Sequence, residues 1–367
     1  MDNRLLARAA EGRTVADGAH AGAPHVFDAT ILREYDIRGI VGETLTESDA
    51  EALGRAYATL VRRQAGAERI ALGRDGRLSS PTLSAALTRG LTAGGLDVID
   101  IGEGPTPMLY FAVHHLGVDG GIMVTGSHNP PDYNGFKMMI GKAPLFGEGI
   151  RELGRIAAEA DWKPPTHAGG YQERSIIEDY LARLLEGTDH LPSLSVVWDP
   201  GNGAAGVVVE RLAERLAGRH RVINARIDGH FPNHHPDPTV ESNLEQLKRT
   251  VAETGADLGL AFDGDGDRIG AIDGHGRVIW GDQILLILAR HLLEEQPGAT
   301  IIADVKASRH LFEGVRAAGG SPLMWKTGHS LIKTKMAETG APLAGEMSGH
   351  IFIRHRYYGY DDALYAA

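Results

Sequence analysis

Residues 69–102 read RIALGRDGRLSSPTLSAALTRGLTAGGLDVIDIG: a short apolar run, a polar loop containing glycine, a helical stretch, a glycine turn and a second apolar run. That order predicts a β-strand, an α-helix and a second strand, the unit from which α/β sheets are built. The same order recurs in LSVVWDPGNGAAGVVVERLAERLAGRHRVINARID (194–228) and in ATIIADVKASRHLFEGVRAAGGSPLMWKTG (299–328). Each helix is expected to stop at glycine, at Gly94 and Gly95, at Gly218, and at Gly319 and Gly320, because a left-handed C-terminal cap costs glycine little. Three such units predict three related α/β domains with mixed sheets and flanking helices. Their expected extents are 26–170, 171–275 and 276–367. Residues 1–25, rich in alanine and glycine without strand or helix periodicity, read as a disordered extension.

Composition narrows the function. A chain of 367 residues exceeds what one core usually supports, which agrees with several domains. A formal net charge of -11 with no dense basic run argues against nucleic acid or an anionic membrane as partner. The absence of cysteine excludes disulfides, thiolate catalysis and cysteine-ligated zinc. The strongest apolar run, ILLILA at 284–289, is too short to span a bilayer, and MDNRLLARAA lacks the apolar core of a secretory signal. A cytoplasmic monomer acting on small molecules is the expectation.

Open α/β sheets bind ligands outside the carboxyl ends of their strands, so the loops after GGIMV and LGLAF are where chemistry is sought. The second of these, AFDGDGDRIG at 261–270, places Asp263, Asp265 and Asp267 within five residues. Two carboxylates 4 Å apart repel by about 1 kcal/mol in water and about 4 kcal/mol near a protein surface. Three together need a counter-charge, and all-oxygen ligation suits a hard cation such as magnesium. A calcium EF-hand is ruled out, since Arg268 and Gly274 stand where it needs glycine and glutamate. The other loop, TGSHNPPDYNGFK at 125–137, puts Ser127 just past a strand, with His128 beside it and Lys137 ten residues on. It matches neither a hydrolase elbow nor an S-x-x-K motif. GNGAAG at 201–206 satisfies a dinucleotide fingerprint, with Asp228 22 residues beyond, yet a tight helix-entry turn gives the same letters. GEMSGH at 345–350 follows KTGHS at 326–330; Glu346 and Ser348 suit a small hydroxylated ligand. His230, His234 and His235 invite a zinc reading, but adjacent histidines rarely converge on one ion. Arg74 and Arg77 either steady the serine loop or pair with nearby acids.

YDIRGI (35–40), TGSHNP (125–130), DGDGDR (263–268), DVK (304–306), KTGHS and GEMSGH occur in the order found in the α-D-phosphohexomutase family, and the chain resembles that family from about residue 26 to its end. The methionine of GEMSGH is similar to the family's mannose/glucose branch. The resemblance implies that Ser127 carries a phosphoryl group in the resting enzyme. Asp263, Asp265 and Asp267 would ligate Mg2+, with a phosphoserine oxygen of Ser127 completing the site. Arg38 and Arg268 would lie near the phosphoserine, and Lys137 would serve proton transfer or transition-state charge. Tyr35, His128, Lys306 and His329 would lie at the substrate, with Glu346 and Ser348 reading sugar hydroxyls. The implied activity interconverts hexose 6-phosphate and hexose 1-phosphate, of mannose and/or glucose, through a hexose 1,6-bisphosphate that is both intermediate and activator. A phosphoserine adds about two negative charges, and a dication held by three carboxylates offsets them, which gives the crowded aspartates a reason.

The resemblance also implies a fourth, C-terminal domain that clamps the non-transferring phosphate. The chain stops at DDALYAA, where Asp361 or Asp362 reads as a helix N-cap, so the third domain is expected to be incomplete, the fourth absent and turnover impaired. Two other classes stay open: an NAD-dependent dehydrogenase resting on GNGAAG, and a non-catalytic module binding a sugar phosphate or a metal.

Overall fold

The computed structural model describes residues 22–367. The expected disordered extension therefore lies outside the described residues except at its end. There His25 is tied down, its Nε2 2.7 Å from Asp49 Oδ1 and its backbone N–H bonded to Ala157.

Three sheets carry the three βαβ units. In the first, Arg69–Arg74 runs parallel to Asp97–Glu103 on one side and to Gly120–Val124 on the other. Tyr133–Ile140 joins Gly120–Val124 antiparallel, and Ile37–Ile40 pairs with its far side. The sheet is therefore mixed. It also takes Tyr171–Glu173, parallel to Asp97–Glu103, beyond the boundary expected at residue 170. Those three residues are exposed and weakly patterned, so only their pairing assigns them. The second sheet runs Val278–Ile279, Ile269–Asp273, Leu258–Phe262, Leu194–Asp199, Gly218–Val222, and the third Ser321–Trp325, Thr300–Asp304, Leu343–Gly345, Ile351–Ile353.

Local chemistry explains the flanking helices. Thr46 and Asp49 form a reciprocal capping box that starts Glu47–Gln64. Leu53, Leu60 and Val61 of that helix are buried, each worth about 1.5–3 kcal/mol of apolar transfer. The helix crosses Ser80–Ala93 closely enough that a Cβ on Gly90 would meet the Glu51 carbonyl oxygen at 2.0 Å. The glycine stops hold in two of the three repeats, where Gly95 (φ 85°) and Gly319 (φ 82°) take the left-handed conformation. Gly218 does not cap its helix. Gly206–Ala213 ends five residues earlier, and Gly218 opens the next strand against the Leu194 carbonyl. At the far end Asp362, not Asp361, is the N-cap, accepting from the backbone N–H groups of Leu364 and Tyr365 at 3.0 Å each. Among the described residues no helix is long and apolar enough to cross a membrane.

Candidate active site

The aspartate loop connects the antiparallel strands Leu258–Phe262 and Ile269–Asp273, so its two ends are fixed by a ladder. Asp263 Oδ1 accepts from the backbone N–H groups of Asp267 and Arg268 at 3.1 Å each, which curls the loop around its first carboxylate. All three aspartates are fully buried, and one oxygen from each lies within 4.8 Å of the others. Three devices make this tolerable. Lys137, on strand Tyr133–Ile140 next to the edge of the first sheet, gives its ammonium to Asp265 Oδ2 at 2.7 Å and to Asp267 Oδ2. Thr106 and Thr125 donate to Asp265 Oδ2 at 2.5 and 3.1 Å. Burial pushes Asp263 well above the usual carboxylate range, helped by Asp265 and Asp267. Burial raises Asp265 too, but Lys137 outweighs it and holds that carboxyl low; burial of Lys137 is in turn outweighed by Asp265 and Asp267, which keep it charged.

Asp265 Oδ1 and Asp267 Oδ1 remain buried without a hydrogen-bond partner among the described residues. Buried polar atoms rarely stay unpaired. Three carboxylates, with two unspent oxygens and no nitrogen or sulfur donor in the set, fit a hard divalent cation, and the cluster could hold a metal ion.

Ser127 arrives from the first domain. Its Oγ donates to Asp263 Oδ2 at 3.1 Å and lies 3.2 Å from His128 Nδ1, while its backbone N–H bonds to Thr125 Oγ1. Its φ of 47° is a left-handed conformation that costs a non-glycine residue about 1 kcal/mol or more. The surroundings hold that conformation: Arg77 reaches the Ser127 carbonyl, and His235 of the second domain donates from Nε2 to the His128 carbonyl at 2.6 Å. Burial, then Arg268, drives His128 down to about 3, so its ring is neutral. Arg38, also buried, donates to the Thr125 carbonyl and pairs with Asp36 at 2.5 Å.

Above the aspartates lies a cleft of about 600 Å³ lined by all three domains, including Tyr35, His128, Arg268, Lys306, His329, Glu346 and Ser348. Glu346 Oε1 accepts from the Gly328 N–H at 2.5 Å, and burial raises its carboxyl. Ser348 Oγ stands 3.5 Å from Glu346 Oε2. Tyr35 donates to the Thr327 carbonyl at 3.0 Å, fastening the first domain to the loop that bears His329. Burial, then Lys333, holds His329 well below its ordinary value, so it too is neutral. Lys306 is exposed at the rim.

Every side chain expected at the site is thus gathered in one region, with Lys137 beneath the aspartates instead of on the cleft wall. Sequence reasoning missed His350, although it ends the quoted GEMSGH. His350 lies in the cleft, accepts from Arg268 Nε at Nε2 (3.0 Å), and approaches Asp361 Oδ2 at 2.9 Å without the alignment of a hydrogen bond. Asp361 in turn pairs with Lys333 at 2.9 Å.

The rival readings lose their footing here. In GNGAAG the N–H groups of Asn202, Gly203 and Ala204 are spent on the carbonyls of Asn224, Pro200 and Gly264, and a Cβ on Gly206 would meet the Ala225 carbonyl oxygen at 1.9 Å. That turn seats a helix on its sheet, and the N–H groups a pyrophosphate would need at Asn202, Gly203 and Ala204 are already bonded. The three histidines diverge as expected: His230 faces Asp228, His234 faces Asp199, and His235 faces His128. Arg74 sits 3.7 Å from Asp100, so of the two loop arginines it is Arg77 that holds the serine loop.

Comparison with known proteins agrees with this geometry. The phosphoglucomutase/phosphomannomutase alpha/beta/alpha domain models I, II and III match residues 29–162, 178–276 and 280–367. The phosphomannomutase/phosphoglucomutase of Pseudomonas putida is 47% identical over 345 residues, covering 94% of this chain and 74% of that protein. The phosphoglucomutase of Neisseria gonorrhoeae is 44% identical over 336 residues, covering 92% and 73%. The crystal structure of a phosphoglucomutase/phosphomannomutase family protein from Burkholderia thailandensis superposes with a TM-score of 0.89 at 46% identity, over 93% of this chain and 76% of that one. The chain belongs to the phosphoglucomutase/phosphomannomutase family and is accordingly an intramolecular phosphotransferase. It spans about three quarters of the length of these relatives.

Proposed function

We propose that the chain interconverts hexose 6-phosphates and hexose 1-phosphates, of glucose and/or mannose, with Ser127 as the relay for the phosphoryl group. The observation that carries this reading is the reach of Ser127 Oγ to Asp263 at 3.1 Å across a domain boundary, inside a buried three-carboxylate cluster. Asp263, Asp265 and Asp267 would hold Mg2+, which when bound neutralises phosphate charge and polarises the phosphoryl group.

The chain's own groups supply the rest by positioning and charge, as phosphoryl transfer requires. In the forward step the P–O bond to Ser127 breaks and one to the sugar hydroxyl oxygen forms. The hydroxyl proton ends on Ser127 Oγ. His329, held neutral and facing the cleft, can carry that proton in transit, whereas Lys137, held charged, stabilises developing negative charge. Arg38 and Arg268 add positive charge on either side of the serine loop. Glu346 and Ser348 accept from or donate to hydroxyls of the ring, with Lys306 and Tyr35 at the rim. The resulting hexose 1,6-bisphosphate turns over and returns its other phosphoryl group to Ser127. The net charge of -11 argues against nucleic acid as a partner.

Intact-protein mass spectrometry after incubation with glucose 1,6-bisphosphate and Mg2+ tests this. One phosphoryl increment is expected, absent from Ser127→Ala, together with conversion of glucose 1-phosphate or mannose 1-phosphate in a coupled assay. An increment that persists in Ser127→Ala would sink the reading.

A further inference from the structure

The loop that carries Ser127 has a few short-range turns of its own, among them Asn129 N–H to the Gly126 carbonyl and Tyr133 N–H to the Pro130 carbonyl, and one buried side chain ties those turns together. Arg77 is 2% exposed, and its guanidinium gathers four carbonyl oxygens of residues 127–133. Nη2 donates to Ser127 at 2.7 Å and to Asn129 at 2.5 Å; Nη1 donates to Pro130 at 2.5 Å and to Tyr133 at 3.0 Å. The loop lies directly on this fork, since a Cβ on Gly126 would meet Arg77 Nε at 1.9 Å. Asp75 braces the arginine from below. Its Oδ2 lies 3.4 Å from Arg77 Nε and accepts from the Gly126 N–H at 2.8 Å, while Oδ1 accepts from Ser80 Oγ and from the Arg77 N–H. The second domain closes the arrangement from above: the ring of Phe231 lies 5.3 Å from Arg77 Cζ, and His235 holds the next carbonyl along, that of His128.

We propose that Arg77 is a positioning residue for the phosphoryl transfer: a buried template that, clamped between Asp75 and the 229–235 loop of the second domain, fixes the backbone bend from which Ser127 reaches the aspartate cluster. Only a planar guanidinium presents enough divergent N–H groups for four carbonyls, so a lysine of equal charge cannot replace it. The carbonyls converge because the arginine is there. Without it, four carbonyl oxygens lose a donor, that of the buried Ser127 among them, and the strained φ of Ser127 loses its main support. The contacts to Phe231 and His235 also tie the loop's shape to the seating of the second domain, so that Ser127 is presented where the aspartates are already in place. The histidine-rich stretch GHFPNHHPDP thereby gains a role as a brace instead of a metal site. This inference rests on Ser127 being the phosphoryl relay.

The test follows the rate at which Ser127 takes up a phosphoryl group from glucose 1,6-bisphosphate, by intact mass, in the wild-type chain, Arg77→Lys and Arg77→Ala. Both variants are expected to slow by about 100-fold, the scale of an ångström misplacement, with the half-saturating bisphosphate concentration changed by less than about threefold. Methylguanidinium is expected to restore Arg77→Ala by about tenfold and methylammonium to leave it unchanged, because only the former reproduces the fork. A rate for Arg77→Lys within about threefold of wild type, or equal rescue by methylammonium, overturns the proposal. Should the Arg77 variants fail to fold, Phe231→Ala combined with His235→Ala removes the brace with Arg77 intact. That pair is expected to slow uptake by about tenfold, and an unchanged rate again overturns it. A wild-type chain that takes up no phosphoryl group on Ser127 overturns the function reading along with this one, whereas normal uptake by Arg77→Lys overturns the role of Arg77 alone.

Discussion

Two buried carboxylate clusters meet at Asp267, and they are built differently. One joins Asp263, Asp265 and Asp267; the other joins Asp267, His350 and Asp361. Among the described residues, Lys137 is the one cation bonded to the aspartates of the first, and two of their carboxylate oxygens have no hydrogen-bond partner. In the second, Lys333 already serves Asp361 and Arg268 already occupies His350 Nε2. The negative charge of the second cluster is therefore met by protein cations, while that of the first is only partly met. Closeness of carboxylates alone does not mark a metal seat. What marks it is a deficit of positive charge, since unpaired oxygens occur in both clusters, Asp361 Oδ2 in the second as well as Asp265 Oδ1 in the first.

Several substitutions would break or sharpen this contrast. The largest effect is expected from Asp265→Ala, which removes a central oxygen donor. Divalent-ion affinity, read by isothermal titration, should fall by more than the roughly 10–100-fold typical of losing an outer partner, and phosphoryl uptake by Ser127 should cease. Next, Lys137→Met strands two buried carboxylates and should cost about 3–5 kcal/mol of stability in chelator, measured by urea unfolding. Added Mg2+ should recover more of that loss than it adds to the wild type. Asp361→Asn should cost less, about 1–3 kcal/mol, because Lys333 loses its partner yet lies near the surface of a cavity. Ion affinity should stay within about twofold of wild type, since this cluster is not the seat. An equal loss of affinity in Asp361→Asn and Asp265→Ala would erase the distinction.

A smaller effect follows from protonation. Asp263 sits above its ordinary value because of burial, then Asp265 and Asp267. Folded, it keeps a proton that the unfolded chain has released above about pH 4, so its contribution to stability is lost as pH rises through the folded value. A cation takes the proton's place and offsets that loss. The rise in melting temperature produced by Mg2+ should accordingly be greater at pH 8 than at pH 6. A smaller rise at pH 8 would contradict the picture of a cation-deficient cluster.

Much of this was legible in the letters, and what was not has a common cause. Strand and helix order in the three repeats follows from apolar runs and glycines, and the aspartate loop declares itself because three like charges in five residues need a reason. Arg77 could not be ranked above Arg74, since its partners are backbone carbonyls, which leave no trace in a sequence. The pairing of His350 with Asp361 was equally hidden, because it forms only when the chain doubles back after Ile351–Ile353 and Asp361 bridges Phe352. Gly218 misled for the opposite reason: a glycine needed for a close approach to Leu194 looks the same as one needed for a helix cap.

Anomalous diffraction from crystals of the phosphorylated chain soaked in Mn2+ bears most directly on the central claim. A single strong peak is predicted among Asp263, Asp265 and Asp267, with an oxygen of the Ser127 phosphoryl group in its coordination shell. A peak centred between His350 and Asp361, or one beside the aspartates with the serine phosphate turned away from it, would contradict the account.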